Sequence, residues 1–311
     1  MTAKVLAVLC SGRKKGYTAS ILAHAIEGAQ EVPGVEIDLV SLFDYEIKPC
    51  QSCFSCVKKP ENMCIIDDDF GRKGQGELLK KVNEANGILL AEPVHMWSTS
   101  TSCHLFLERL YPFLWNGKVN GFPFASISCA SNQGFYRFAA REICRRIIPY
   151  NIRPVDILGL HTAMPDAYTQ ARELGKKLAE AARLDAENGR QAFSNELEKF
   201  KFYSNMPENA FLINLENMTN GLNQYEGSLV EMGNSFEHPE GQTFARQASE
   251  ALKEALALHL AGDLEKSMEA LVKASDYWTN ATWKEFLEDN VIGAKMPKSY
   301  KSLPNKHDQE K

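Results

Sequence analysis

The sequence predicts an α/β protein with a parallel sheet in residues 1–188, followed by an all-helical extension in residues 189–311. Before Asn188, short apolar runs alternate with helical patterns, as in chains built from βαβ crossovers. After Asn188, helical patterns dominate and no strand alternation is evident. A chain of 311 residues is also long for one compact α/β unit, which favours two domains.

The strands are predicted from apolar runs of strand length bounded by turn or helix signals. Residues 5–9 are apolar throughout, which is typical of a parallel strand covered on both faces. Further strands are predicted at 35–42, 87–92, 124–129 and 155–160. Helices are predicted from residue 19, with Thr18 as N-cap, and at 77–85, 102–113, 135–148 and 166–188.

In the extension, residues 242–261 and 263–278 predict an antiparallel helix pair. Gly262 is expected to end the first helix and Asp263 to cap the second. The predicted apolar faces consist of Leu252, Ala255, Leu256 and Leu260, and of Leu264, Met268, Leu271 and Ala274. Four aromatic residues are expected to fill the helical core and not an interaction face: Tyr277, Trp278, Trp283 and Phe286. The polar tail from residue 295 is expected to fray.

Composition limits the classes of partner. The net charge of −5 argues against a nucleic-acid surface. No signal-peptide pattern and no apolar stretch long enough to span a bilayer is evident, so a cytoplasmic protein without a membrane partner is expected. In a reducing compartment, clustered cysteines more often hold metal or do redox work than form disulfides.

The stretch KVLAVLCSGRKKGYT, residues 4–18, reads as a strand, a small basic loop and a helix start. This arrangement points backbone N–H groups and the positive end of a helix at an anion, so it predicts a phosphate site. The spacing fits neither a Walker loop nor GxGxxG. The candidate residues are Ser11, Arg13, Lys15, Gly16, Tyr17 and Thr18.

Four cysteines, Cys50, Cys53, Cys56 and Cys64, form a C-x2-C-x2-C-x7-C pattern. The spacing predicts metal ligation and suits a [4Fe–4S] cluster, in which each thiolate binds one iron. Zinc remains possible, although structural zinc sites usually pair two CxxC motifs across a longer gap. The other cysteines are expected to be small buried hydrophobic residues: Cys10, Cys103, Cys129 and Cys144.

The loop SGRKKGYT resembles the FMN-phosphate loop of the NAD(P)H-dependent FMN reductases of flavodoxin-like fold. Ser11, Arg13, Gly16, Tyr17 and Thr18 occupy matching positions, whereas Cys10 and Gly12 replace the usual glycine and proline. The resemblance implies FMN as cofactor, NAD(P)H as co-substrate and a sheet of order 2-1-3-4-5. The ligand would then lie at the switch point between strands 1 and 3.

The cysteine motif, with IIDDDF after it, resembles the iron–sulfur flavoprotein branch of that family. Residues 93–98 resemble the family's flavin-ring loop, with a histidine replacing the common tyrosine; its candidates are Pro93, Val94, His95, Met96, Trp97 and Ser98. A second ring loop is expected at 128–134, with Ser131 and Gly134. Arg109 matches an arginine of the family. We interpret it as a structural clamp paired with Glu108 or another nearby acid.

The resulting hypothesis is an FMN-dependent oxidoreductase that passes electrons between NAD(P)H, or another reduced donor, and a small-molecule or protein acceptor through a [4Fe–4S] cluster. No catalytic side chain is expected, because FMN carries the chemistry. One alternative is a cluster-free NAD(P)H:FMN or quinone reductase. Another is a non-enzymatic electron carrier or sensor acting through the helical extension. The resemblance also implies a homo-oligomer.

Overall fold

The computed structural model describes residues 2–58, 63–221 and 224–288. Its centre is one five-stranded sheet of order β2-β1-β3-β4-β5, with every neighbouring pair parallel. The strands are β1 (Ala3–Leu9), β2 (Val35–Ser41), β3 (Gly87–Pro93), β4 (Pro123–Ala130) and β5 (Arg153–His161). The predicted α/β class and the flavodoxin-like order are confirmed.

Helices cover both faces of this sheet, so successive residues of a strand enter different cores. In β1, Val5, Ala7 and Leu9 pack against one layer of helices, whereas Leu6 and Val8 pack against the other. The first layer is α1 (Tyr17–Gln30) and α7 (Ala167–Asn188). The second is α3 (Glu77–Glu84), α4 (Thr101–Arg109), α5 (Tyr111–Asn116) and α6 (Tyr136–Ile147), and a single turn, α2 (Ser55–Lys58), lies in the cysteine loop.

The start of α1 differs from the prediction. Thr18 is not the N-cap; Gly16 is, with an extended backbone and no side-chain capping bond, and the helix begins at Tyr17. Thr18 is instead buried inside the first turn. The glycine is suited to this position because a Cβ there would lie 3.2 Å from the Cβ of Arg13.

The helix predicted at 102–113 is two helices. The first ends at Arg109, and a second begins at Tyr111 after Leu110. Pro112 explains the break, since it has no N–H to donate to the preceding turn and its ring disfavours a continuous helix. Similarly, Phe135 is not part of α6 but precedes it with a left-handed backbone.

The extension consists of α8 (Glu196–Tyr203), α9 (Ala210–Met218), α10 (Pro239–Leu260) and α11 (Leu264–Thr282). It shares one continuous core with the α3–α6 face of the sheet. At the junction, Glu208 pairs with Arg141 at 3.0 Å and with Arg145 at 3.4 Å. The helical character predicted beyond residue 188 is therefore observed as far as residue 288.

The helix pair α10–α11 follows the prediction in most details. Asp263 caps α11 by accepting from the backbone N–H of Lys266, and Gly262 has the left-handed φ of +80° expected after a helix. Leu260 and Leu264 are an exception, because both are exposed. They flank the turn at the open end of the pair, where neither helix covers the other.

Of the four aromatic residues predicted to fill the helical core, Tyr277, Trp278 and Trp283 are half-buried, whereas Phe286 is exposed. Trp278 stacks on Phe236 with ring centroids 5.5 Å apart, and Phe286 meets the same ring edge-on. Trp283 lies 6.2 Å from Trp115 of α5, so it joins the extension to the sheet domain. The tail predicted to fray lies outside the described residues. Among the described helices, none is long and apolar enough to cross a membrane.

Candidate functional site

A cavity of about 300 Å³ opens at the carboxyl ends of the strands. It lies at the switch point between β1 and β3, where ligands of open α/β sheets bind. Three loops form most of it, those after β1, β3 and β4. Its lining consists of Ser11, Arg13, Gly16, Tyr17, Thr18, Pro93, Val94, His95, Met96, Trp97, Cys129, Ala130, Ser131, Asn132, Gln133, Gly134, Phe135 and Thr162.

The loop after β1 forms the polar end of this cavity. Its backbone is folded tightly, with Arg13 N–H donating to Ser11 Oγ at 3.2 Å and Gly16 N–H donating to the Arg13 carbonyl at 3.0 Å. The N-terminus of α1 begins behind it, which favours an anion here. Arg13 contributes a cation to the cavity wall.

Two of the residues predicted to bind phosphate, Lys15 and Tyr17, are placed differently from the others. Lys15 is exposed and does not line the cavity, while its neighbour Lys14 pairs with Asp44 at 2.6 Å. The Tyr17 hydroxyl donates to the His161 carbonyl at 3.2 Å, so it is already engaged at the end of β5.

The loop after β3 is a tight turn. His95 and Ser98 exchange two backbone hydrogen bonds of 3.0 Å, and the residues between them, Met96 and Trp97, both have left-handed backbones. Such a conformation is costly for large side chains and is found mainly where function requires it. The turn holds Met96 at 88% and Trp97 at 60% exposure at the cavity mouth.

The loop after β4 faces this turn. Its Gln133 accepts from Trp97 Nε1 at 3.2 Å, and the Phe135 ring lies 5.8 Å from the Trp97 ring. The sequence located the loop through Ser131 and Gly134 but missed Phe135 and, after β5, Thr162. Ligands of open α/β sheets bind at the carboxyl ends of the strands. Applying this rule to β5 would have identified Thr162, because its backbone N–H bonds to the Ala130 carbonyl beside the cavity.

Two glutamates hold the β3 loop from behind. Glu92, fully buried, accepts from the Ser100 backbone N–H at 2.8 Å. Glu142 of α6 accepts from the Ser98 hydroxyl and pairs with Arg146 at 3.0 Å. Ser98 is thus directed at α6 and does not line the cavity.

The two glutamates differ in ionisation. Burial, helped by the nearby Glu142 charge, raises the pKa of Glu92 to about 7 against the opposing effect of the Ser100 hydrogen bonds. Burial also opposes ionisation of Glu142, but hydrogen bonds from Ser98 and Arg146 lower its pKa to about 2. The loop is therefore held by one carboxylate and by one carboxyl group that titrates near neutrality.

This difference predicts a pH-dependent stability. Because the pKa of Glu92 rises from 4.5 to about 7 on folding, the free energy of unfolding should fall by up to about 3 kcal/mol as the pH rises through that window. Glu92→Gln, which cannot ionise, should remove this loss, so it should be more stable than the native protein at pH 8 but not at pH 4. Urea unfolding at both pH values measures the difference.

Glu84→Gln is the matched control, since Glu84 is exposed and pairs with Lys4 on the surface. It should leave the pH profile as in the native protein. If Glu92→Gln also leaves that profile unchanged, the carboxyl of Glu92 does not titrate in this window.

A second cavity, of about 230 Å³, contains all four predicted metal ligands. The loop between β2 and α3 forms one side, and the end of α4 and the start of α5 form the other. Left-handed backbones at Ser52, Phe54 and Met63 turn this loop sharply. Its lining consists of Cys50, Ser52, Cys53, Phe54, Cys56, Cys64, Ile65, Ile66, Glu108, Arg109, Tyr111 and Pro112.

The last two residues of α4 hold the cysteine loop. Glu108 Oε1 accepts from the Cys50 backbone N–H at 3.1 Å. Arg109 is buried and pairs with Asp68, which is also buried. The clamp predicted for Arg109 is confirmed, with Asp68 as its partner in place of Glu108. The remaining cysteines, at 10, 103, 129 and 144, are buried as predicted.

One helix connects the two cavities. The loop that lines the first cavity leads into α4 through its N-cap, Ser100, and α4 ends at Arg109 in the wall of the second. A helix of 9 residues spans only about 14 Å. One short helix therefore joins the two cavities.

The sheet order, with a cavity at its switch point, is that of the flavodoxin-like class of α/β proteins. Residues 3–145 match the model of the family described as NADPH-dependent FMN reductase. Through this region, a little under half of the chain, the protein is similar to that family.

Curated relatives agree with this assignment. An iron–sulfur flavoprotein of Methanocaldococcus jannaschii is 29% identical over 208 residues, covering 58% of this chain and 98% of the relative. One from Archaeoglobus fulgidus is 26% identical, covering 57% of this chain and 80% of the relative. One from Methanosarcina thermophila is 34% identical over 106 residues, covering 34% of this chain and 51% of the relative.

Proposed function

We propose that this chain transfers electrons between NAD(P)H, or another reduced donor, and a small-molecule or protein acceptor, using FMN in the first cavity and a [4Fe–4S] cluster in the second. The observation that carries the proposal is the single short helix, α4, between the two cavities. Bound FMN supplies hydride and single-electron chemistry, and a neighbouring cluster supplies one-electron transfer.

The first cavity suits FMN because one end can bind a phosphate and the other can bind a flat ring. The loop after β1 offers backbone N–H groups, the Ser11 hydroxyl and the Arg13 cation to a phosphate. The loops after β3 and β4 offer the rings of Trp97 and Phe135 to a flat aromatic group. The carboxyl groups of Glu92 and Glu142 behind the β3 loop keep that loop in place.

The second cavity suits a cluster better than zinc. Structural zinc sites usually pair two CxxC motifs across a longer gap than the spacing of these four cysteines. A cuboidal cluster instead takes one thiolate at each iron, so its ligands stand around a space. Cys50, Cys53, Cys56 and Cys64 border such a space.

The FMN assignment predicts different roles for two neighbouring cations. Arg13→Gln should weaken FMN binding by about tenfold or more, because it removes a charged partner of the phosphate, and one such contact contributes roughly 1.5–3 kcal/mol. Lys15→Gln is the matched control and should leave binding nearly unchanged, since Lys15 lies outside the cavity. Fluorescence titration of flavin-free protein with FMN measures both. Equal losses would contradict this assignment of the phosphate site.

The direction of electron flow is tested by activity. We expect steady NAD(P)H oxidation by the purified chain when a quinone or ferricyanide is supplied as acceptor. Oxidation that requires a second protein would instead favour the carrier or sensor function. Absence of oxidation with both nicotinamide cofactors would indicate that another reduced donor is used.

We also propose a homo-oligomer. Four large apolar side chains lie exposed around the first cavity: Met96, Trp97, Phe135 and Phe138. Such a cluster is typical of an interaction surface. Trp97→Ser combined with Phe138→Ser should lower the sedimentation coefficient to that of a monomer, whereas Leu212→Ser, at an exposed leucine of α9, should not. An unchanged coefficient for the double variant would contradict an interface here.

A further inference from the structure

Arg109 donates a hydrogen bond to one of the predicted cluster ligands. Its Nη2 lies 3.3 Å from Cys64 Sγ. Three further N–H groups of this guanidinium donate to the Lys48 carbonyl at 2.5 Å and to the two carboxylate oxygens of Asp68. Cys64 is thus one of a small, fixed set of acceptors around a buried cation.

The position of this guanidinium is fixed from several sides. Asp68 also accepts from the backbone N–H groups of Lys48 at 2.8 Å, Phe70 at 3.0 Å and Gly71 at 2.6 Å. The guanidinium lies over the Phe70 ring, 5.2 Å from its centroid. A Cβ at Gly71 would approach Nη2 to 3.2 Å and the Ile66 carbonyl to 2.0 Å, so glycine is needed for this arrangement.

A hydrogen-bond donor fixed beside a cluster ligand affects the reduction of the cluster as well as the stability of the fold. Hydrogen bonds and nearby positive charge at a cluster thiolate withdraw electron density from sulfur and stabilise the more negative, reduced cluster. An arginine is always protonated, so this effect is permanent. Asp68 carries the compensating charge, since Nη2 donates both to Asp68 Oδ1 at 3.1 Å and to Cys64 Sγ at 3.3 Å. The effect on Cys64 therefore comes from the directed hydrogen bond and not from a net charge.

We propose that Arg109 is a positioning residue that raises the reduction potential of the cluster through its hydrogen bond to Cys64. This inference rests on the proposed function, because it requires a cluster bound by the four cysteines. It assigns Arg109 a redox role in addition to its structural role. It also gives a physical link between α4, which begins at the flavin loop, and the electron affinity of the cluster site.

The test is an anaerobic spectroelectrochemical titration of the native protein and of a variant carrying both Arg109→Gln and Asp68→Asn. The paired substitution removes both buried charges together, so neither is left uncompensated. We expect the reduction equilibrium to shift at least tenfold toward the oxidised cluster, which is about 59 mV for a one-electron couple. Arg72→Gln is the control, because Arg72 is exposed on the same segment and pairs with Asp67; its midpoint should match that of the native protein.

Iron analysis and urea unfolding accompany each titration. A paired variant with full iron and an unchanged midpoint would overturn the inference and leave the cluster proposal intact. A folded paired variant that binds no iron would overturn it too, since a residue that only tunes the potential is not needed for assembly. A native protein without iron would instead overturn the proposed cluster itself. Arg109→Lys provides a second variant, which keeps the charge but loses the planar donor set, and a lower midpoint is expected there also.

Discussion

Asp68→Ala is expected to lower the free energy of unfolding by about 3–5 kcal/mol, the usual cost of breaking a buried ion pair from one side. The side chain of Asp68 is 0% exposed. Its removal leaves the Arg109 guanidinium without its carboxylate and the N–H groups of Lys48, Phe70 and Gly71 without their acceptor. Burial alone would raise the pKa of Asp68, but these hydrogen bonds, that of Arg109 first, hold it below its usual value.

The neighbouring residue provides a matched control. The side chain of Asp67 is 89% exposed and pairs with Arg72 on the surface, so Asp67→Ala should change stability by less than about 1 kcal/mol. Urea unfolding of the two variants measures the contrast. Equal losses for Asp67→Ala and Asp68→Ala would show that the buried pair does not support the cysteine loop.

Cys56→Ser is expected to abolish iron binding while leaving FMN content unchanged. Cys56 is the buried member of the four cysteines and lies beside the other three. A cluster needs a thiolate at each iron, and a serine hydroxyl is a poor replacement. The flavin should remain, because none of the four cysteines lines the first cavity.

Cys144→Ala is the control for this variant. Cys144 is buried in α6, away from both cavities, and its truncation should leave iron and FMN contents as in the native protein. Colorimetric iron analysis and the visible spectrum after anaerobic purification report both groups. Iron retained in Cys56→Ser, or iron and flavin lost together, would contradict separate sites for the two groups.

The sequence predicted the strands well because a parallel strand covered on both faces reads as a continuous apolar run. All eight residues of β4 are buried, for example. Strand order did not follow from periodicity, since an apolar run does not identify which strand lies beside it. The order required the resemblance of the first loop to a known family. The predicted helix bounds were wrong where one residue interrupts an otherwise helical pattern, as Pro112 does between α4 and α5.

The candidate site was predicted at the level of loops but not of individual side chains. The residue type is the same at positions 67, 68 and 69, yet only Asp68 is fully buried against Arg109. Likewise, Arg13, Lys14 and Lys15 are adjacent cations, and the fold directs only Arg13 into the cavity, while Lys14 meets Asp44. Which member of a charged run faces inward depends on contacts with distant segments, and local sequence does not contain that information.

The most direct test of the two-cavity account is an anaerobic visible spectrum of the purified chain, combined with iron and flavin analysis. We expect about one FMN and about four iron atoms per chain, with two flavin bands over a broad absorbance that bleaches on addition of dithionite. Folded protein that is colourless, and that takes up no FMN when titrated with it, would contradict the account.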